Sequence, residues 1–328
     1  MAPPTLLAVP NVSEGRDEET IAAIATAFAG EATEGPARGV ELLDVHTDRD
    51  HHRSVFTIAG SPGALADALL RGAAVAVERI DVMTRAGGRP EDAGQHPHVG
   101  AIDVAPVVYL DPRDRGAACA EALVIGDRIG EELQVPVFLY GELSGTDASS
   151  ASGDDPPART RAQLRRGGVA GLRARMAGER KPPDERETTG EAAPDFGPPR
   201  MHPTAGATLV AARPPLVAFN VQLAPALTIE DARALAALIR EGGSVGLPGV
   251  RAMGVALGDG SAQVSMNVER PSELPLARVI EAIRAHAELA GAELVGLAPA
   301  AAFADFPPDL PIPGFDPARH LIENALGS

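Results

Sequence analysis

His96 and His98 stand two residues apart around Pro97 in GQHPHVGAID, residues 94–103, of a chain that has only eight histidines among 328 residues. An imidazole titrates near neutrality and can take up or release a proton there. The apolar strand that follows has no structural need for two such rings. Three other polar constellations interrupt otherwise apolar stretches: PNVSEGR at 10–16, DRDHHRS at 48–54, and PDFGPPRMHPTAGATLVAAR at 194–213. Asn220 and Asn267 fall inside apolar runs, where an amide needs partners. Each constellation also has a plain structural reading. Ser13 would cap a helix, DRDHHRS would be a solvated hairpin turn, His202 would cap a loop, and HPHVG would be a turn with exposed rings. Gly94, Pro97, Gly100 and Ala101 weigh against that last reading, because small residues there suit a close approach of the backbone to something else.

Several chemistries drop out. His51, His52, His96 and His98, with Asp48, Asp50 or Asp103, could be assembled into a metal site, but no H-E-x-x-H or other ligand-spaced helix is present and adjacent histidines rarely share one ion. No metal is expected. The phosphate-cradling G-x-x-x-x-G-K-[ST], a strand-anchored G-x-G-x-x-G and the G-x-S-x-G elbow are all missing. Cys119, the one cysteine, lies in a helical stretch and reads as core rather than nucleophile. What remains is proton transfer by a histidine in an anion-friendly cleft, which suits group transfer to or from an amine. Spacing alone does not choose between His96 and His98.

The elements that must position these groups follow from periodicity. Residues 6–12, 40–45, 54–60, 102–110 and 135–141 read as strands, and 17–29, 61–80 (with Ser61 as N-cap) and 115–133 as helices. The second half repeats the plan, with strands at 216–223, 250–258, 262–268 and 292–299 and helices at 229–241 and 276–289. Both halves run strand, helix, strand, strand, helix, strand, the split βαβ order of ferredoxin-like domains. The fold class is therefore α+β, with two tandem ferredoxin-like subdomains at 1–180 and 194–328. Residues 145–193 have the composition of a mobile loop and linker, with a helix within 160–177, and the Pro-rich tail after Phe303 reads as surface-wrapping chain without regular structure.

Composition sets the remaining bounds. With 45% apolar and 23% charged residues the chain is of globular, soluble type, long enough for two domains of about 150 residues. A net charge of −16 argues against nucleic acid, though a few arginines can still make a local anion pocket. No apolar run approaches the roughly 18–20 residues needed to cross a bilayer, and MAPPTLLAVPNV has no basic region ahead of a long apolar one, so neither membrane span nor signal peptide is expected. The lone cysteine suits a cytoplasmic location.

VPNVSEGR, DHHRSVFT, GQHPHVGAIDV, VPVFLYG, PDFGP…HPTAGAT…AAR…AFNVQL, AQVSMNV and ELVGLAP follow one another between residues 9 and 299. In these motifs the chain resembles the glutamate formimidoyltransferase (glutamate formiminotransferase) family, whose key histidine sits in G-E-H-P-R-[IM]-G-A-[LI]-D-V. The resemblance implies two ferredoxin-like subdomains with a tetrahydrofolate tunnel between them. It implies formimidoyl transfer between N-formimidoyl-L-glutamate and tetrahydrofolate, giving 5-formimidoyltetrahydrofolate and L-glutamate in histidine degradation, by a homodimer. It also selects His96 as the general acid/base. Arg53, Arg213 and Arg251 become candidates for the carboxylates of glutamate and of the folate tail, since a guanidinium matches a carboxylate bidentately. Asn11, Asn220 and Asn267 become candidates for pterin or amide edges, and His98 and His202 for substrate or folate contact. The chain departs from the pattern at Gln95 for the usual glutamate, His98 for arginine, His52 for asparagine, and RRGGVAGL at 165–172 for R-x-G-E-[YF]-E. Loss of a carboxylate beside His96 removes a charge that would raise its pKa, and loss of an arginine removes one that would lower it. These changes keep three alternatives open: a folate-dependent N-formylglutamate formyltransferase, a catalytically impaired folate-binding protein and a metal-dependent hydrolase.

Overall fold

Pro10 has no N–H to give to a ladder, and the run LLAVPNV accordingly folds as two short strands, Leu6–Ala8 (β1) and Asn11–Val12 (β2). The computed structural model describes residues 3–30, 39–86, 97–145, 158–178 and 192–327. It divides into two compact units, Met1–Arg213 and Pro214–Ser328.

In the first unit, helix Glu18–Ala29 (α1) follows β2, with Asp17 as its N-cap accepting from Glu19 N at 3.1 Å and Thr20 N at 3.3 Å. Ser13 is not the cap; its Oγ donates to Gly100 O at 2.7 Å. The hairpin Val40–Asp48 (β3) and Arg53–Gly60 (β4) comes next, then helices Ala64–Arg79 (α2) and Val82–Ala86 (α3) and strand Ile102–Tyr109 (β5). Helix Arg115–Glu132 (α4) leads to strand Val137–Leu139 (β6). Ser61 does not cap α2. The helix starts after Gly63, and the Gly63 and Ala66 amides donate to the buried Glu121 carboxylate of α4 at 2.9 and 2.8 Å.

The helix expected within 160–177 is two helices, Arg161–Arg165 (α5) and Gly168–Met176 (α6), broken where Gly167 and Gly168 take φ of 75° and 59°. Strand Thr208–Arg213 (β7) runs parallel to both β5 and β6 and is buried along almost its whole length. Strand β7, in the stretch expected to open the second half, thus belongs to the first sheet, and the two compact units divide after Arg213. In that sheet β1 and β2 both lie between β4 and β5, β3 flanks β4, and β7 and β6 extend the far side. The core forms where β1, β4 and β5 meet α1, α2 and α4 through Leu6, Phe28, Phe56, Leu69, Val107 and Ile125.

The second unit comprises Val217–Leu223 (β8), Ile229–Ile239 (α7), Val250–Ala256 (β9), Ala262–Val268 (β10), Leu276–Arg284 (α8) and Leu289–Val295 (β11). Its sheet order is β11-β8-β10-β9, with every pairing antiparallel. Thr228 and Asp231 form a capping box that starts α7. Phe219, Val221, Val264 and Met266 face Leu235, Ile239, Val279 and Ile283 in the core, whereas Asn220, Gln263 and Ser265 alternate onto the other face of the sheet. The Pro-rich tail is more ordered than expected. It forms short helices Pro317–His320 (α9) and Ile322–Ala325 (α10), and Phe303 stacks on Phe315 at 4.6 Å beside Phe306 at 5.2 Å. Prolines set helix N1 positions there rather than excluding helices. Among the described residues no helix is long and apolar enough to cross a membrane.

Candidate active site

The turn between β3 and β4 is the expected polar stretch, and Arg49 and Asp50 in it are exposed, but His51 and His52 are only 2% and 9% exposed. Burial comes from the segment leaving β2. Gly15 packs so close that an added Cβ would lie 2.2 Å from Asp48 O and 2.6 Å from Arg53 N. Gly15 N donates to His52 Nδ1 at 3.0 Å, which assigns the ring proton to Nε2. Burial, opposed by the charge of Glu14, brings the pKa of His52 down to about 4. The ring is thus neutral at neutral pH, and its 3.5 Å approach to Glu14 Oε1 is no ion pair.

Glu14 itself is buried and accepts from Asp17 N at 3.0 Å, Arg16 N at 2.9 Å and the Arg85 guanidinium. Burial pushes its pKa up, but these donors outweigh that and hold it below the ordinary carboxylate range. His51 is fixed through its backbone N–H, which donates to Asp48 Oδ1 at 2.9 Å.

A second wall comes from residues 97–103. Gly100 is a true close-approach position, but what approaches is backbone: an added Cβ would lie 1.9 Å from Ala207 O. Ala101 N donates to Ala205 O at 2.8 Å, Ala207 N to Val99 O at 2.9 Å, and Ser13 N to Ala101 O at 2.9 Å. Asp103, 4% exposed, accepts from Val99 N at 2.8 Å and from Arg165 of α5. Between the walls lies a partly open pocket lined by Asn11, Val12, Ser13, His51, His52, Arg53, Pro97, His98, Asp103 and Arg165.

The structure thus brings together Asn11, Arg53 and His98 of the candidates. His96 lies outside the described residues, as do Gln95 and Gly94, and is bonded to Pro97 at the pocket. His202 does what its structural reading expects: Nδ1 accepts from Ala205 N at 3.0 Å and caps the turn bridged to Gly206. Burial lowers its pKa. Arg213 ends β7. Asn220, Arg251 and Asn267 lie in the second unit. Asn220 is buried and donates to Glu293 at 2.8 Å, Arg251 pairs with Glu241 at 3.0 Å and Glu269 at 3.4 Å, and Asn267 stands opposite Arg251 in the ladder. Cys119 is half-buried in α4, and burial pushes its thiol pKa up, against a nucleophilic role. Among the described residues no three His, Cys, Asp or Glu side chains group to hold a metal. Sequence reasoning assigned no role to Glu14, Arg85 or Arg165. The signal for Glu14 was present, in an acid between Ser13 and Gly15 at a strand exit.

Residues 5–213, the greater part of the chain and nearly the whole first unit, match the family model for the formiminotransferase domain, N-terminal subdomain. The chain belongs to the formiminotransferase family. Across both units it is similar to the glutamate formimidoyltransferase of Streptococcus pyogenes serotype M1, 34% identical over 97% of each chain. It is similar also to that of Thermoplasma acidophilum, 32% identical over 90% of this chain and 89% of the other. The formimidoyltransferase-cyclodeaminase of Gallus gallus is 34% identical over 90% of this chain but 50% of its own length, so the chain spans about half of this two-activity relative. The pocket falls inside the region the formiminotransferase model matches.

Proposed function

We propose that this chain transfers the formimidoyl group between N-formimidoyl-L-glutamate and tetrahydrofolate, giving 5-formimidoyltetrahydrofolate and L-glutamate, as in histidine degradation. The observation that carries the reading is the 34% identity to a glutamate formimidoyltransferase over 97% of both chains. Tetrahydrofolate supplies the accepting amine. His96, next to the pocket residue Pro97, takes the proton that the incoming amine releases as the C–N bond to it forms. It returns that proton to the glutamate nitrogen as the old C–N bond breaks, so no net proton is needed. Such positioned proton transfer contributes about 10²–10⁴-fold, and holding two substrates together contributes more.

The described lining fits this chemistry. His52, neutral with its proton on Nε2, offers a donor without adding positive charge against a protonated His96. Arg53 offers a guanidinium for a substrate carboxylate, and Asn11 an amide for a pterin edge. His98, His202, Arg213, Asn220, Arg251 and Asn267 complete the proposed substrate- and folate-binding set. The strand-helix-strand-strand-helix-strand order that opens the first unit and makes up the second, together with the second sheet's order, supports two ferredoxin-like subdomains. A cytoplasmic homodimer is part of the same reading. The test is turnover with tetrahydrofolate and either N-formimidoyl- or N-formyl-L-glutamate, read by the distinct absorbance of 5-formimidoyl- and 5-formyltetrahydrofolate. Product from the formimidoyl donor supports the proposal, and turnover of the formyl donor alone replaces it.

A further inference from the structure

Arg165 enters the pocket from the end of α5. Its guanidinium is largely buried, with the side chain 14% exposed, and it contacts the carboxylate of Asp103 through Nη2 alone. Its Nε–H is buried and has no hydrogen-bond partner among the described residues. An arginine serving only to lock α5 onto β5 would meet Asp103 with both prongs of its fork, since the bidentate pairing is the stronger one. Here Asp103 spends its other oxygen on Val99 N at 2.8 Å. The backbone around Arg165 is fixed independently, because Arg175 donates to Leu164 O at 2.6 Å and to Arg166 O at 2.8 Å. The guanidinium is therefore held from one side by a carboxylate while donor capacity remains open beside the pocket.

We propose that Arg165 anchors a glutamyl carboxylate of the substrates and so sets specificity for them, a reading that rests on the transfer proposed above. A carboxylate supplies acceptors for the N–H groups of the guanidinium that Asp103 leaves unused. Both substrates of the proposed reaction carry glutamyl carboxylates, and the experiment separates them.

Arg165→Gln and Arg165→Lys are compared with the parent protein by steady-state kinetics, with thermal unfolding as a check that both fold. The expected result for Arg165→Gln is a KM raised at least about tenfold for one substrate with kcat nearly unchanged, and a smaller rise for Arg165→Lys, which keeps charge but not the fork. If the donor carboxylate is the one held, the effect vanishes with the diamide of N-formimidoyl-L-glutamate. If the folate tail is held, it vanishes with 6-methyltetrahydropterin as acceptor. An unchanged KM for both full substrates overturns the proposal. So does an equal rise with both truncated substrates, which would leave Arg165 as a lock for α5. Calorimetric binding of L-glutamate and of tetrahydrofolate reads the same anchor without turnover. A tenfold weaker Kd for one of them in Arg165→Gln supports it even if no transfer occurs, and unchanged Kd values for both overturn it.

Discussion

Gly15 donates its backbone N–H to His52 Nδ1 at 3.0 Å, and this bond fixes the tautomer of an imidazole that burial keeps neutral. It also ties the exit of β2 to the β3–β4 turn. His52 takes φ of 48°, a left-handed backbone that asparagine accepts more readily than most side chains.

His52 makes stability sensitive to acid. Its pKa falls from 6.5 when unfolded to about 4 when folded, so between those values the unfolded chain binds a proton that the folded one refuses. Stability is full above about pH 6.5 and declines as pH falls toward 4, by roughly 1–2 kcal/mol after allowance for solvent screening. Glu14, whose pKa is lowered on folding, acts with the same sign below the ordinary glutamate value of 4.5. Urea unfolding at pH 7, 5.5 and 4.5 should show the decline in the parent protein. His52→Asn should flatten it between pH 6.5 and 4.5, and a slope unchanged in that variant would show that another group carries it.

Gly100→Ala should destabilise the protein by about 3 kcal/mol or more, because the new methyl meets the Ala207 and Ala205 carbonyl oxygens at 1.9 and 2.8 Å, and backbone on that side cannot give way. Gly116→Ala, where nothing lies within 4 Å, should be neutral or slightly stabilising in α4. Melting temperatures of the two variants test the contrast.

Glu121→Ala should cost about 2–3 kcal/mol and Glu121→Gln about 1 kcal/mol, since the carboxylate is the cap of α2 and its removal strands the amides of Gly63 and Ala66. Chemical denaturation of both variants measures this. Equal stability of Glu121→Ala and the parent would mean that water replaces the cap at no cost.

What could be read from sequence and what could not divides by the range of the interaction. The apolar periodicity that places α1 and β5 is local, although the cap of α1 is Asp17 and not the Ser13 that the sequence offered. The turn at 48–53 misled because polarity suggested solvent. His51 and His52 are buried by Gly15 and Glu14, far off in the chain, and no local pattern encodes that contact. Gly100 did signal a close approach, but its partner at 205–207 lies just ahead of β7, in a stretch that sequence order assigned to the other half. Arg165 was hidden for the same reason: the helix expected within 160–177 gave it no partner, and only its meeting with Asp103 across the chain makes it part of a pocket. Ser61 looked like a cap until Glu121, from a helix well downstream, took that place.

The central claim is that His96 moves a proton while the formimidoyl group passes from glutamate to folate. Its most direct test is formation of 5-formimidoyltetrahydrofolate from N-formimidoyl-L-glutamate and tetrahydrofolate by the parent protein and by His96→Ala, with melting temperatures measured alongside. The account predicts product with the parent and kcat lowered about 10²-fold or more in a variant of unchanged stability. No product from the parent protein, or equal kcat in a well-folded His96→Ala, would contradict it.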